Sequence, residues 1–267
     1  MGSKVYFGAN NGTDGQELWV SDLTESGTVM LADVRAGSAS SQVSSPVKSG
    51  NNVFFTANDG TTGIELWVTD GTNAGTHLVK DIRSGLASSI PDQLVDSGGI
   101  LFFLADDGIN GTELWRSDGT EAGTFMVQDI HSGSHGADIS EIVAISGNRV
   151  VFNADDGVNG FEPWVASSTV NSATLLGDLN PGSDSSNAGN FYEVPGKNLV
   201  YFSASTPTEG NEIWKTDGTV LGTVLASDVQ SGATSSYPSG FYAKGSKLFF
   251  SAQSPKQGYE PYVIKIK

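Results

Sequence analysis

The 267-residue chain carries 30 acidic and 14 basic side chains, a formal net charge of −16. That balance excludes nucleic acid and anionic membrane surfaces as partners, because both select for Lys and Arg; divalent cations, basic partners and plain solubility remain. The chain has no cysteine, which excludes a disulfide framework, a thiolate nucleophile and a Cys-based zinc site, and no apolar run approaches the ~18 residues of a membrane span. Met1-Gly2-Ser3 reads as an expression scar and is set aside.

One stretch recurs. Glu65-Leu66-Trp67-Val68-Thr69-Asp70-Gly71-Thr72 returns as Glu113-Leu114-Trp115-Arg116-Ser117-Asp118-Gly119-Thr120. Weaker copies are Glu17-Leu18-Trp19, Glu162-Pro163-Trp164, Glu212-Ile213-Trp214 and Glu260-Pro261-Tyr262. The aromatic residue falls at 19, 67, 115, 164, 214 and 262, in steps of 48, 48, 49, 50 and 48. A fixed period of this size marks stacked or ring-closed supersecondary units. The repeat spans nearly the whole chain, so residues 4–267 read as a single domain.

In chain order, residues 4–33 supply three strands, B, C and D; four complete units follow; residues 240–267 supply A, B and C. The clearest unit predicts strand A at Asp92–Ser97, a Gly98-Gly99 turn, strand B at Ile100–Ala105 and a polar loop at Asp106–Gly111. Strand C follows at Glu113–Arg116, a turn at Ser117–Thr120 and strand D at Thr124–Gln128. Four short strands joined by tight turns make an antiparallel meander. Strand B does not alternate: Val53-Phe54-Phe55, Leu101-Phe102-Phe103, Val150-Val151-Phe152, Val200-Tyr201-Phe202 and Leu248-Phe249-Phe250 are apolar throughout. Such a strand must be covered on both faces, as when each four-stranded sheet packs between two others in a propeller. The expected fold is all-β, a β-propeller of about six four-stranded blades, with five or seven as alternatives. The tail Tyr259–Lys267 is a candidate for closing the ring.

The Glu-Leu-Trp-x-x-Asp-Gly-Thr-x-x-Gly-Thr pattern resembles the ELWxxDGT repeat family of bacterial, mostly secreted or surface proteins. Units two, three and five carry it best, through Asp70-Gly71-Thr72 with Gly75-Thr76, Asp118-Gly119-Thr120 with Gly123-Thr124, and Asp217-Gly218-Thr219 with Gly222-Thr223. Units one and four depart at Asp22-Leu23-Thr24 and Ser167-Ser168-Thr169, and the last unit has Ile264-Lys265-Ile266 in place of the turn. The resemblance implies a propeller-like extracellular or cell-surface module and transfers no catalytic residue.

Several features carry candidate chemistry. The glutamate of the motif, at 17, 65, 113, 162, 212 and 260, sits beside an aromatic and needs polar partners once buried; the B–C loop amides are the expected donors, with Arg35 and Arg83 as candidate ion pairs. The Trp residues read as packing between sheets, with sugar stacking as the functional alternative. The B–C loops gather Asp59, Asp106, Asp107, Asn110, Asp155, Asp156 and Asn159, oxygen ligands of the kind Ca²⁺ takes in sixes to eights. They do not follow the EF-hand spacing, and Asp-Gly turn chemistry explains them equally. Units five and six have Thr206-Pro207-Thr208-Glu209 and Ser254-Pro255-Lys256 there instead. His131 and His135, beside Asp129 and Asp138, suit a transition metal by ligand type, against the plainer reading of two loop histidines.

No catalytic constellation recurs, and the chain is read as not an enzyme. The expected function is adhesion or recognition of a glycan or a surface or matrix protein, at the end carrying the B–C and D–A loops, with Ca²⁺ ordering those loops. The chain would act as a monomer or as part of a larger surface protein. The alternatives are a rigid spacer or assembly subunit, and a polysaccharide-active enzyme.

Overall fold

The computed structural model describes residues 4–254 and 258–266; Met1-Gly2-Ser3, Pro255, Lys256 and Lys267 of the sequence reading lie outside them. The described residues form 22 strands and no helix. They make six small antiparallel sheets, numbered 1 to 6 along the chain: three strands in sheets 1 and 6, four in each of the others. Every sheet is a meander, and sheet 1 lacks strand A while sheet 6 lacks strand D, as expected. In sheet 3 the strands are Asp92–Ser97, Ile100–Asp106, Thr112–Ser117 and Phe125–Gln128, within a residue or so of their predicted bounds.

Backbone packing divides the chain into two compact units. The first holds the residues up to Asp129 with Gly133–Gly136, and the second holds Ile130–Ser132 with the residues from Ala137 onward. Within each, consecutive sheets stack face to face. In the first unit, Phe55, Ala57 and Trp67 of sheet 2 pack on Leu18 and Val20 of sheet 1. Phe54 and Val68, on the opposite face of sheet 2, pack with Leu101, Phe103 and Trp115 of sheet 3. In the second unit, Tyr201 and Ile213 of sheet 5 pack with Leu248 and Phe250 of sheet 6. Neighbouring residues on a strand point to opposite faces, which is why strand B needs apolar residues at consecutive positions. Burying each Phe contributes about 1.5–3 kcal/mol.

Coverage fails on the last sheet. Phe54, Phe102, Val151 and Tyr201 are buried, but the matching Phe249 is 38% exposed. It lies in register with Tyr242 and Val263, which are also exposed. Strand B of sheet 1 (Val5–Asn10) is likewise half-exposed along its length, because it lies at the edge of its sheet.

The Asp-Gly-Thr turn joins C to D by a closed set of hydrogen bonds. Asp70 Oδ1 accepts the Thr72 N–H (2.9 Å) and hydroxyl (2.7 Å). Thr72 Oγ1 accepts the Gly75 N–H (3.0 Å), and the Thr76 hydroxyl donates to the Thr72 carbonyl (2.7 Å). A Cβ at Gly75 would lie 2.1 Å from Asp70 Oδ1, so the second glycine is required sterically. The first is required by conformation: Gly71, Gly119 and Gly218 have φ of 93°, 93° and 80°. Sheet 1 keeps the turn with Leu23 at φ 72°, a left-handed conformation costing a non-glycine residue about 1–3 kcal/mol. Leu23→Gly is therefore expected to raise the unfolding free energy by about 1 kcal/mol after glycine's own entropic cost, read from urea unfolding. No gain would mean that the turn holds no strain.

Candidate functional site

The motif glutamate organises the loop end of sheets 1, 2, 4 and 5. Glu17, Glu65, Glu113, Glu162 and Glu212 are fully buried. The partners of Glu17, Glu65, Glu162 and Glu212 come from the D–A connection, not from the B–C loop as the sequence reading expects. Glu17 accepts the N–H groups of Val34 (2.8 Å), Arg35 (3.3 Å) and Ser41 (3.1 Å). Glu65 accepts those of Ile82 (3.2 Å), Arg83 (3.4 Å) and Ser89 (2.9 Å), with the Ser89 hydroxyl at 2.5 Å. Glu162 takes Leu179, Asn180 and Ser186, and Glu212 takes Val229, Gln230 and Ser236. The same connection then reaches the following sheet: the Asn58 N–H donates to the Ser41 carbonyl at 2.7 Å, and the Asp106 N–H to that of Ser89 at 3.0 Å. The arginines contribute backbone to the glutamates, and the Arg83 guanidinium pairs with Asp106 Oδ2 instead (2.5 Å). A serine 24 residues beyond the glutamate, at 41, 89, 186 and 236, is the sequence signal that identifies the clamp.

The acidic B–C loops spend their oxygens on their own turns. Asp107 Oδ1 accepts the Ile109 and Asn110 N–H groups (both 2.8 Å), and Oδ2 accepts Asn110 Nδ2 (2.7 Å). Asp156 does the same with Val158 and Asn159, and Asp59 with Thr61 and Thr62. Asp106 Oδ1 and Asp155 Oδ1 accept the N–H of Gly108 and Gly157. Burial pushes the carboxyls of Asp59, Asp107 and Asp156 up, but these hydrogen bonds outweigh it and hold them below the usual range. His131 lies against Gly157, as Arg35 lies against Gly60 and Arg83 against Gly108, so it occupies the repeat's arginine position. The backbone of His135 packs against Gly111. No group of three or more His, Asp or Glu side chains is placed to share a metal ion among the described residues. Trp67, Trp115 and Trp164 are buried, which fits the packing reading.

A different set of residues forms an open polar cleft. In the second unit, at the loop end, a cavity of about 510 Å³ is lined by Asn153, Asn187, Asn190, Asn211, Tyr237 and Tyr259, among others. Strand A is bulged where it enters, with a register shift between Gly189 and Tyr192 and left-handed backbone at Asn190 (φ 56°). The bulge turns Asn190 so that its Nδ2 donates to Ser203 Oγ at 3.0 Å. Asn211 Nδ2 donates to Ser205 Oγ at 3.0 Å. Asn153 is 7% exposed, and its buried Oδ1 has no hydrogen-bond partner. Tyr237 and Tyr259 are 53% and 59% exposed. Glu141 is the one carboxyl on this wall among the described residues, and it accepts the Phe191 N–H at 3.1 Å. The cleft lies at the loop end that the sequence reading selects, but none of these residues is among those it names, because Asn and Ser at strand starts look like ordinary turn chemistry.

No family model matches the chain, and no curated protein matches it. Solved structures do. A structure of prolyl endopeptidases matches with a TM-score of 0.53 at 13% identity, over 99% of this chain and 39% of that one. A puromycin-hydrolyzing peptidase of Mycobacterium tuberculosis matches with a TM-score of 0.51 at 12% identity, over 99% and 44%. TolB from Acinetobacter baumannii gives 0.45 at 12% identity, over 98% and 66%. The chain thus spans less than half the length of the two peptidases. At these identities the likeness is one of fold: the chain is all-β and its structural neighbours are β-propeller-like.

The clamp makes the fold sensitive to pH. Burial pushes the Glu65 carboxyl up to about 7 against the pull of its Ser89, Ile82 and Arg83 donors. Between the ordinary 4.5 and about 7 the native state holds a proton that the unfolded chain has released. Its contribution is full below that window and is lost as pH rises through it. The aspartates act in the opposite sense, their contribution being lost as pH falls below their ordinary 3.8. The thermal midpoint is expected to be highest near about pH 5. Glu65→Gln should lower it overall, by about 1–3 kcal/mol of stability for donors left unpaired, and flatten the neutral limb. A midpoint that climbs steadily from mildly acidic to mildly alkaline pH would contradict this.

Proposed function

We propose that the chain is a non-enzymatic, extracellular recognition module that binds a glycan in the cleft of the second unit. The observation that carries this is Asn153: a buried, unpartnered amide oxygen on the wall of an open polar cleft. An acceptor in that state costs about 1–3 kcal/mol, and a rotation of the side chain into the cleft would let a ligand hydroxyl recover it. The surrounding side chains fit the same ligand. Asn187, Asn190 and Asn211 offer both donors and acceptors, as vicinal hydroxyls require. Tyr237 and Tyr259 present aromatic faces with polar tips, suited to the apolar face of a sugar ring.

The non-enzymatic part of the reading is supported by the charge on this wall. Glycoside hydrolysis by paired acids needs two carboxyls about 5–10 Å apart; here Glu141 stands without a second carboxyl on the lining. The extracellular setting rests on the resemblance of the repeat to secreted and surface proteins. Calcium is not required in this reading, since the loop carboxylates are already engaged by their own backbone.

Screening against an array of neutral and acidic glycans should give a neutral ligand whose binding survives EDTA. Asn153→Ala and Tyr259→Ala should each weaken it about tenfold, or ~1.4 kcal/mol, while the free protein still unfolds cooperatively. Turnover of a polysaccharide, or no glycan bound by the folded protein, would overturn the proposal.

A further inference from the structure

We propose that the edge of sheet 6 receives an extended segment of a partner protein as a fourth strand, one with an aromatic side chain at its second position and a carboxylate ahead of it. Among the described residues, strand C of sheet 6 (Gly258–Lys265) is the edge of its sheet, whereas strand C of every other sheet pairs with a strand D. Beside this edge lies a cavity of about 470 Å³, lined by Lys215, Ala226, Ile264 and Lys265 among others. All four belong to the second unit.

The repeat states what fits there. The second residue of strand D lies opposite the motif Trp, as Leu78 does to Trp67 and Met126 to Trp115. It packs on the third residue of the strand D before it: Leu78 with Leu31, and Met126 with Val79. That third residue is Leu31, Val79, Val127 and Leu176 in sheets 1 to 4, and all four are buried. In sheet 5 it is Ala226, which is only half-buried. Ala226 packs in one cluster with Tyr262, the residue of sheet 6 at the Trp position. The smaller side chain leaves room for a larger one on the incoming strand, so an aromatic suits where Leu or Met serves elsewhere.

Two further departures are cationic. Lys215 stands where sheets 1, 2 and 4 have Val20, Val68 and Val165, and Lys265 stands at the place of the motif aspartates Asp22, Asp70, Asp118 and Asp217. Lys265 lies opposite Lys247, and Lys247 opposite Lys244. Three like charges thus line up across sheet 6, in a chain whose net charge is −16. Like charges directly opposite one another destabilise a sheet, and an anion at the edge offsets them. An antiparallel strand in the register of the other sheets puts its first residue opposite Val263. The residue two places earlier then falls opposite Lys265, which locates the partner's carboxylate.

Lys and Pro commonly blunt edge strands, but Pro261 does not close this one. Sheet 4 has Pro163 at the same position, and its carbonyl accepts the Leu176 N–H at 2.8 Å. In strand addition of this kind the backbone pairing supplies affinity and the side-chain pockets supply specificity.

The test titrates the full chain with two short capped peptides built on strand D of sheet 3, Glu-Thr-Phe-Phe-Val-Gln and Glu-Thr-Phe-Leu-Val-Gln. Binding is read from the backbone amide resonances of Ala226, Ile264 and Lys265. The phenylalanine peptide should move them and bind about tenfold more tightly than the leucine peptide. Ala226→Leu restores the residue that sheets 1 and 4 carry, so it should fold, and it should reverse that preference. Replacing the peptide's glutamate by lysine should weaken binding and remove its salt dependence. Asn153→Ala, in the polar cleft, should leave peptide binding unchanged, which keeps this proposal separable from the glycan reading. No shift with either peptide, or a preference untouched by Ala226→Leu, would overturn it. The same amides shifting with protein concentration alone would assign the edge to a second copy and overturn it too.

Discussion

A glutamate carboxyl with no exposed surface, held by three backbone N–H groups from a single irregular connection, is the interaction on which the loop end of sheets 1, 2, 4 and 5 depends. Stripped of partners, a buried carboxylate is prohibitively costly; surrounded by amides it becomes a fixed point. Glu65 gathers Ile82, Arg83 and Ser89, and the Ser89 carbonyl then receives the Asp106 N–H of the next sheet. One side chain thus ties strand C of one sheet to strand B of the next through a segment that has no regular structure of its own. The spacing between sheets follows from this tie as much as from the Phe and Trp packed between them.

The strands were legible because their causes are local. Asp-Gly and Gly-Gly turns, the aromatic period and the unbroken apolar runs of strand B each announce themselves within a few residues. Sheet 3 accordingly falls within a residue or so of its predicted bounds. The role of the motif glutamate was legible only in part. Its need for partners follows from burial, but the donors lie 17 to 24 residues downstream, beyond the reach of local reasoning. The B–C loops, nearer in sequence, were the natural expectation, yet their own aspartates occupy those amides. The polar cleft was least legible. Asn153, Asn190 and Asn211 sit on three different strands, and only the bulged entry of strand A brings them onto one surface.

Repetition also supplies a scale for reading departures. The arginine position of the D–A connection holds Arg35, Arg83, His131, Asn180 and Gln230 in successive units. Where the side chain crosses to the next loop, as with Arg83 and Gln230, the gap is closed; where it stops short, as with Asn180, a cavity opens beside Trp214. The framework is held by the glutamate and the turn, so this position can vary without loss of the sheet. Distinct surfaces on nearly equivalent sheets arise in this way.

The most direct test of the clamp is hydrogen exchange at the backbone amides of Ser41, Ser89, Ser186 and Ser236. These residues lie in irregular connections, where amides ordinarily exchange fast. If the glutamates organise the loop end, these four should be protected to a degree comparable with the central strands. Exchange at the rate of the exposed loop amides around them would show that the connection is not held by the carboxylate.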